Sequence, residues 1–177
     1  WKMNGNVSLI DSMLQGLSNV SLDENVDVVI CPSFPYLAAF SLTAENVALN
    51  KSIHLGAQNV NEHLNGAFTG EVSIEMLKEL SVGYVIVGHS ERRSLYKETS
   101  SLVADKVAAV LDAGLTPILC IGESEAERDS EQTNKVLSSQ LQPVVDRIGL
   151  EKFVDVVIAH EPVWAIGTGK TASPEMA

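Results

Sequence analysis

The chain has 177 residues, 45% hydrophobic and 20% charged, enough for one sizeable core and ordinary for a soluble globular protein, read here as a single domain over 1–177. Its formal net charge of −11 speaks against nucleic acid or an anionic membrane as partner, and no apolar run nears the roughly 20 residues of a membrane helix. An anionic ligand would therefore have to be held by local groups against the global field.

Cys31 and Cys120 each close an apolar run, which fits reduced, buried thiols in a cytoplasmic protein better than a disulfide scaffold. The sequons at Asn6, Asn19 and Asn50 carry little weight without a secretory signal, and none is read. The chain opens on Trp1-Lys2 and closes at Met176-Ala177 just after a helix start, so an internal piece of a longer protein is expected.

After a turn-rich opening, an amphipathic helix is expected from Val7 to about Val20, with Leu9, Ile10, Met13, Leu14 and Leu17 on one side. A strand follows over Val26–Cys31, stopped by Pro32, and then a helix from Pro35 to about Glu45. Ile53–Val60 reads as a weaker strand, and Asn59–Gly70 as a polar loop with an exposed Phe68. Helix Val72–Leu80, strand Val82–Gly88, a short helical segment from Ser90, helix Ser101–Ala113 and strand Leu115–Ile121 come next. A long charged helical stretch covers Ser124 to about Ile148, kinked or interrupted near Pro143. The last strand, Val154–Ala159, is a short, strongly β-branched apolar run, the pattern of a parallel strand buried on both faces. Alternating helices and five strands with few charges predict a parallel α/β sheet, either doubly wound or closed into a barrel.

Polar groups leave the carboxyl ends of separate strands, which is how such sheets assemble active sites. Gly88 leads into His89-Ser90-Glu91-Arg92-Arg93, Ile121 into Gly122-Glu123, and Ala159 into His160-Glu161. A helix N-terminus beside His89 favours a neutral imidazole, although a lone histidine there is more often structural. Arg92 and Arg93 are expected to pair with acids such as Glu91 or Glu123, and the charge run Glu123–Glu131 to form a solvent face.

Pro162–Ala172 is a long connection carrying Trp164, Ile166 and the pliant Gly167 and Gly169, ahead of an N-cap, Pro and acid at Ser173-Pro174-Glu175. It reads as a lid over Glu161, whose desolvation would raise the carboxyl's proton affinity and suit it to general-base work. Gly169-Lys170-Thr171 imitates a phosphate-binding loop, but the first glycine of that motif would fall on Trp164, which rules the motif out.

Together these segments resemble the triosephosphate isomerase family. The matching stretches are Trp1-Lys2-Met3-Asn4-Gly5, Gly56-Ala57-Gln58-Asn59, Gly66-Ala67-Phe68-Thr69-Gly70-Glu71, Gly88-His89-Ser90-Glu91-Arg92-Arg93, Cys120-Ile121-Gly122-Glu123, and Glu161 through Gly169. The resemblance implies a (β/α)8 TIM barrel, here incomplete with strands two to six present, and a cytoplasmic homodimer of glycolysis and gluconeogenesis. It implies cofactor-free, metal-free interconversion of dihydroxyacetone phosphate and glyceraldehyde 3-phosphate through an enediolate. Glu161 would be the base, His89 a neutral donor to the carbonyl oxygens, and Lys2 a positive charge for phosphate and oxyanion. The Gly167 backbone N–H would reach the phosphate, and Thr69 a partner subunit's site. This family is itself a standard example of a neutral imidazole electrophile and of loop closure.

His160 stands where the family usually has tyrosine. Without the missing strands the 177 residues alone are expected to expose strand edges and to show no turnover. Two rivals come from other classes: a glycoside hydrolase pairing Glu161 with Glu123 or Glu91, and a non-catalytic binding piece that would not take up a phosphate analogue.

Overall fold

In a computed structural model of the chain, all residues are described except 24, 47–50, 167, 168 and 170–177, along with the side chains of 45 and 46. The helix start expected at Ser173 and the lid's Gly167 lie outside the described residues. The chain folds as two compact units, Trp1–Val85 and Ile86–Ala177.

In the first unit the Asn6 side chain accepts the Leu9 N–H at 2.8 Å and so starts α1 (Val7–Ser18). Ile10 and Leu14 are fully buried on its inner stripe. Leu9, expected on the same side, is exposed, because it lies about 100° round the helix from Ile10, past the edge of the stripe. Strand β1 (Val28–Ile30) is followed by one 3-10 turn, Phe34–Tyr36, and by α2 (Leu37–Asn46), which packs on α1. Strand β2 (Ile53–Ala57) is shorter than the expected Ile53–Val60, and a loop without regular structure separates it from α3 (Ile74–Glu79), capped by Ser73. In that loop Phe68 is 42% exposed, and its ring stacks on His63 with centroids 4.3 Å apart.

Strand β3 (Tyr84–Val87) pairs in parallel with β2 at Gly56↔Tyr84, as β2 does with β1 at Val29↔His54. Such parallel neighbours need a crossover, and α2 and α3 supply it. Gly56 sits where β1 comes closest. A Cβ there would lie 2.5 Å from Cys31 Sγ and 2.9 Å from Val29 Cγ1.

The second unit carries α4 (Ser90–Leu95), α5 (Ser100–Asp112), β4 (Thr116–Ile121), α6 (Glu125–Asp129), α7 (Thr133–Ile148), α8 (Leu150–Phe153) and β5 (Val157–His160). Strands β4 and β5 are parallel, with Ile121 opposite His160, and α7 packs on α5, whose Val103, Val107 and Val110 are fully buried. Gly114, at φ 78°, ends α5 with a left-handed residue that costs glycine nothing.

Two expectations are corrected here. The break in the charged helical stretch falls between α6 and α7, where Glu131 takes φ 57°, and Pro143 sits inside α7 without ending it. A proline there removes one backbone donor, which the flanking turns of a 16-residue helix tolerate. Strand β5 is not buried on both faces: Val157 is 45% and Ile158 40% exposed, and Val154 lies outside the strand. Among the described residues β5 pairs only with β4, so half of its surroundings come from solvent.

Gly56→Ala is expected to lower stability by roughly 1–3 kcal/mol through overpacking. Gly16→Ala, in the exposed part of α1 where no heavy atom lies within 4 Å of an added Cβ, is expected to raise it by about 0.5–1 kcal/mol. Urea midpoints of the two variants would move in opposite directions.

Candidate active site

His89 is both the first group off β3 and the N-cap of α4. Its Nδ1 accepts the Glu91 backbone N–H at 3.2 Å, so that nitrogen carries the lone pair and the proton of the neutral ring is on Nε2. Nε2 in turn stands 3.9 Å from Glu161 Oε2. The residue before His89, Gly88, is tied down by Arg93. Arg93 Nε donates to the Gly88 carbonyl at 2.7 Å, Nη1 to Ser100 Oγ at 3.2 Å and Nη2 to the Cys120 carbonyl at 3.3 Å. Gly88 has φ +71°, and a Cβ there would lie 2.8 Å from Arg93 Nη2, so glycine leaves the guanidinium its space. Burial pulls the Arg93 pKa down while nearby Cys120 and Glu98 push it back up.

Glu161 follows β5, its N–H donating to the Ile121 carbonyl at 2.9 Å. Its carboxylate is 57% exposed, so the described part of the connection does not desolvate it as expected. Beside it Gly122 is pinned by Gln140 of α7, whose amide donates to the Gly122 carbonyl at 3.0 Å and accepts its N–H at 2.9 Å. A shallow crevice runs past Ser90, Arg93, Cys120, Gly122 and Glu161. The Cys120 thiol there is pushed up to about 11, mainly by burial and then by Glu161, with Arg93 opposing, so it stays a thiol at neutral pH. Both cysteines are free and half-buried.

Glu123, expected on a solvent face, is instead enclosed, its side chain 1% exposed. Trp164 Nε1–H donates to Oε1 at 2.9 Å, His160 Nε2 lies 3.3 Å from Oε2, and the Val163 N–H donates to the Glu123 carbonyl at 2.9 Å. Arg128 reaches Oε1 at 4.0 Å and covers the Trp164 ring at 4.5 Å. Burial alone would raise the Glu123 carboxyl, but the hydrogen bonds from Trp164, its own backbone N–H and His160 outweigh it and hold it below the usual range. A carboxylate so enclosed is not open to a sugar, which removes the glycosidase pairing of Glu161 with Glu123. Of the rest of the run, Glu125, Asp129 and Glu131 are solvent-facing as expected, while Glu127 is half-buried and accepts from Ser124, and Arg128 is half-buried against Trp164.

The arginines also pair otherwise than expected. Arg92 Nε meets Glu98 Oε1 at 2.7 Å, and so does Lys106 Nζ at 2.7 Å, while Arg93 bonds carbonyls. Glu98 and Lys106 are both 4% exposed in their side chains, and Glu98 Oε2 has no hydrogen-bond partner among the described residues. Burial raises the Glu98 carboxyl, and the bonds from Lys106 and Arg92 overturn that and lower it. Neither Glu98 nor Gln140 was singled out from sequence. The signal for the first was Lys106 on the apolar stripe of α5, a place where lysine needs a buried acid.

Lys2 belongs to the first unit. Its backbone takes φ 47°, uncommon outside glycine, and Ser33 Oγ donates to its carbonyl at 2.7 Å. Thr69 is exposed in the loop before α3, and Gly167 is outside the described residues. Among the described residues no three His, Cys, Asp or Glu side chains group to hold a metal, and no helix is long and apolar enough to cross a membrane.

Parallel strands with intervening helices, and an imidazole meeting a carboxylate at strand ends, make up the scaffold of an α/β acid–base enzyme. A family model described as triosephosphate isomerase matches residues 1–177. The triosephosphate isomerase of Colwellia psychrerythraea is 64% identical over 177 residues, spanning 100% of this chain and 69% of that one. That of Alcanivorax borkumensis is 51% identical and that of Pseudoalteromonas translucida 47%, over 100% of this chain and 69% and 68% of theirs. The chain belongs to the triosephosphate isomerase family, and it is an isomerase. Membership decides between the two sheet architectures in favour of the (β/α)8 barrel.

Glu98→Gln removes the buried negative charge that Lys106 and Arg92 share and is expected to cost about 3–5 kcal/mol at pH 7. Because the folded-state Glu98 pKa is lowered, its contribution is complete above the unfolded carboxylate value of about 4.3 and fades as pH falls below it. Urea unfolding should therefore show the gap between wild type and variant narrowing below about pH 4.

Proposed function

We propose that this chain interconverts dihydroxyacetone phosphate and glyceraldehyde 3-phosphate, with Glu161 and His89 as the catalytic pair. The observation that most supports the pair is the 3.9 Å approach of His89 Nε2 to Glu161 Oε2 at the ends of β3 and β5. Glu161 takes a proton from the carbon next to the carbonyl. The bonding electrons form the enediolate, whose charged oxygen accepts the His89 Nε2–H; the proton of the adjacent hydroxyl passes to that oxygen, the oxygen it leaves becomes the new carbonyl, and the carboxyl returns its proton to the neighbouring carbon. Oxidation states shift only within the substrate, so the reaction needs no redox cofactor.

The Glu91 backbone N–H keeps the His89 lone pair on Nδ1, which aims the remaining proton at the substrate side. Lys2 supplies positive charge to the phosphate, a local requirement in a chain of net charge −11. The Gly167 N–H would be a further phosphate donor. Thr69 would enter the neighbouring site of a homodimer, and the setting is the cytoplasm.

Glu161→Gln in the full-length chain is expected to lower kcat by about 10²–10⁴-fold with a much smaller change in KM. A coupled assay that finds the native rate in this variant would overturn the assignment of the base. Exhaustive chelation before assay should leave the wild-type rate unchanged, and a rate restored only by added divalent metal would contradict the cofactor-free reading.

A further inference from the structure

The base is attached to the rest of the second unit through a neighbour that the reaction itself does not use. His160 is the residue immediately before Glu161, and its ring is 19% exposed on the side chain, with Nε2 3.3 Å from Glu123 Oε2. Glu123 holds Trp164 through its other oxygen and Val163 through its carbonyl. The residues on both sides of Glu161 are thus fastened to one buried carboxylate, and the catalytic side chain lies between the fastenings.

We propose that His160 is a positioning residue whose bond to Glu123 sets the placement of Glu161 and makes that placement pH-dependent. This inference rests on Glu161 being the base. The imidazole is the side chain whose charge changes between about pH 5 and 8. When neutral it offers Glu123 one ordinary hydrogen bond, and when protonated an ion pair with an oxygen withdrawn from water, which is about twice as strong. The groups that face it are few. Glu123 comes from the β4–α6 connection, Arg128 of α6 stands 4.0 Å from the far oxygen of the same carboxylate, and Glu161 follows on its own strand. Arg128 and a protonated His160 sit on opposite oxygens of Glu123, so the carboxylate screens one cation from the other. Protonation of His160 tightens the fastening, and loss of that proton loosens the start of the segment that carries the base.

The test compares wild type with His160→Phe, which removes the donor, and His160→Tyr, which keeps a donor that does not titrate below about pH 9. Each is made in the full-length chain, with melting curves to verify folding. The His160→Phe variant is expected to show kcat about three- to tenfold lower than wild type near pH 6, KM little changed, and a deficit that shrinks toward pH 8. The His160→Tyr variant should lack the pH-dependent component. The indole N–H resonance of Trp164, assigned with Trp164→Phe, should move with pH in wild type and stay still in both variants. A kcat ratio independent of pH, or a Trp164 resonance insensitive to the substitutions, would overturn the proposal. Should His160→Phe fail to fold, the His160→Tyr comparison and the indole titration decide alone. Native activity in Glu161→Gln would instead sink the assignment of the base, while the indole titration would still report on the His160–Glu123 bond.

Discussion

A carboxylate taken out of water has to be given donors, and the donors it finds dictate what else must stand nearby. Glu123 is the case on which the second unit depends. Its oxygens are reached by Trp164, His160 and Arg128, and its backbone by Val163, so the connection after β5 is laid down around it. The isolated cost of burying such a charge is several kcal/mol, and hydrogen bonds from the last residue of β5 and from the 3-10 turn Val163–Ala165 offset it. The trade gives that segment a fixed course past Glu161 with a single 3-10 turn as its regular structure among the described residues. Irregular backbone is ordinarily the least constrained part of a fold, and here an enclosed charge does the constraining.

A second buried charge is handled by different means. Among the described residues Arg93 has no carboxylate in direct contact; carbonyls from the ends of β3 and β4 and a serine hydroxyl receive its donors. The guanidinium fork suits this because its donors diverge at fixed angles, which a lysine ammonium would not reproduce. Two strand ends are thereby kept at a set separation, and both feed the crevice. Arg92, one residue earlier, points the other way into the Glu98–Lys106 pair, so adjacent arginines brace the site and the α5 core in turn.

Much of this was legible in the sequence because the signals were local and periodic. Strand–helix alternation follows from apolar runs bounded by Pro and Gly, and the positions of His89 and Glu161 follow from being the first polar residues after such runs. Family membership rests on motifs spread along the whole chain. What the sequence concealed were pairings between residues far apart. Nothing local distinguishes Glu123 from its solvent-facing neighbours Glu125 and Glu131; burial came from Trp164, 41 residues on. Glu98 sits in a polar turn, and only Lys106 on an apolar stripe hinted at an interior acid. The assignment of β5 as fully buried failed for a related reason. Composition reports what a strand tolerates, while exposure depends on which elements cover it, and Val157 and Ile158 lack such cover among the described residues.

Gly122 has a consequence for how such a protein changes over generations. Any side chain at this position would place its Cβ against the Glu161 carbonyl, a backbone atom that cannot rotate aside as a flexible side chain can. Both of its own peptide groups are already committed to Gln140. Every non-synonymous codon reachable from a glycine codon by one base change adds atoms to the residue or ends translation, so amino-acid drift has no foothold here. Lineages can explore the surface of α7 or the loop before α3 freely, yet at this contact they inherit an absence of side chain that selection has no gradual way to fill.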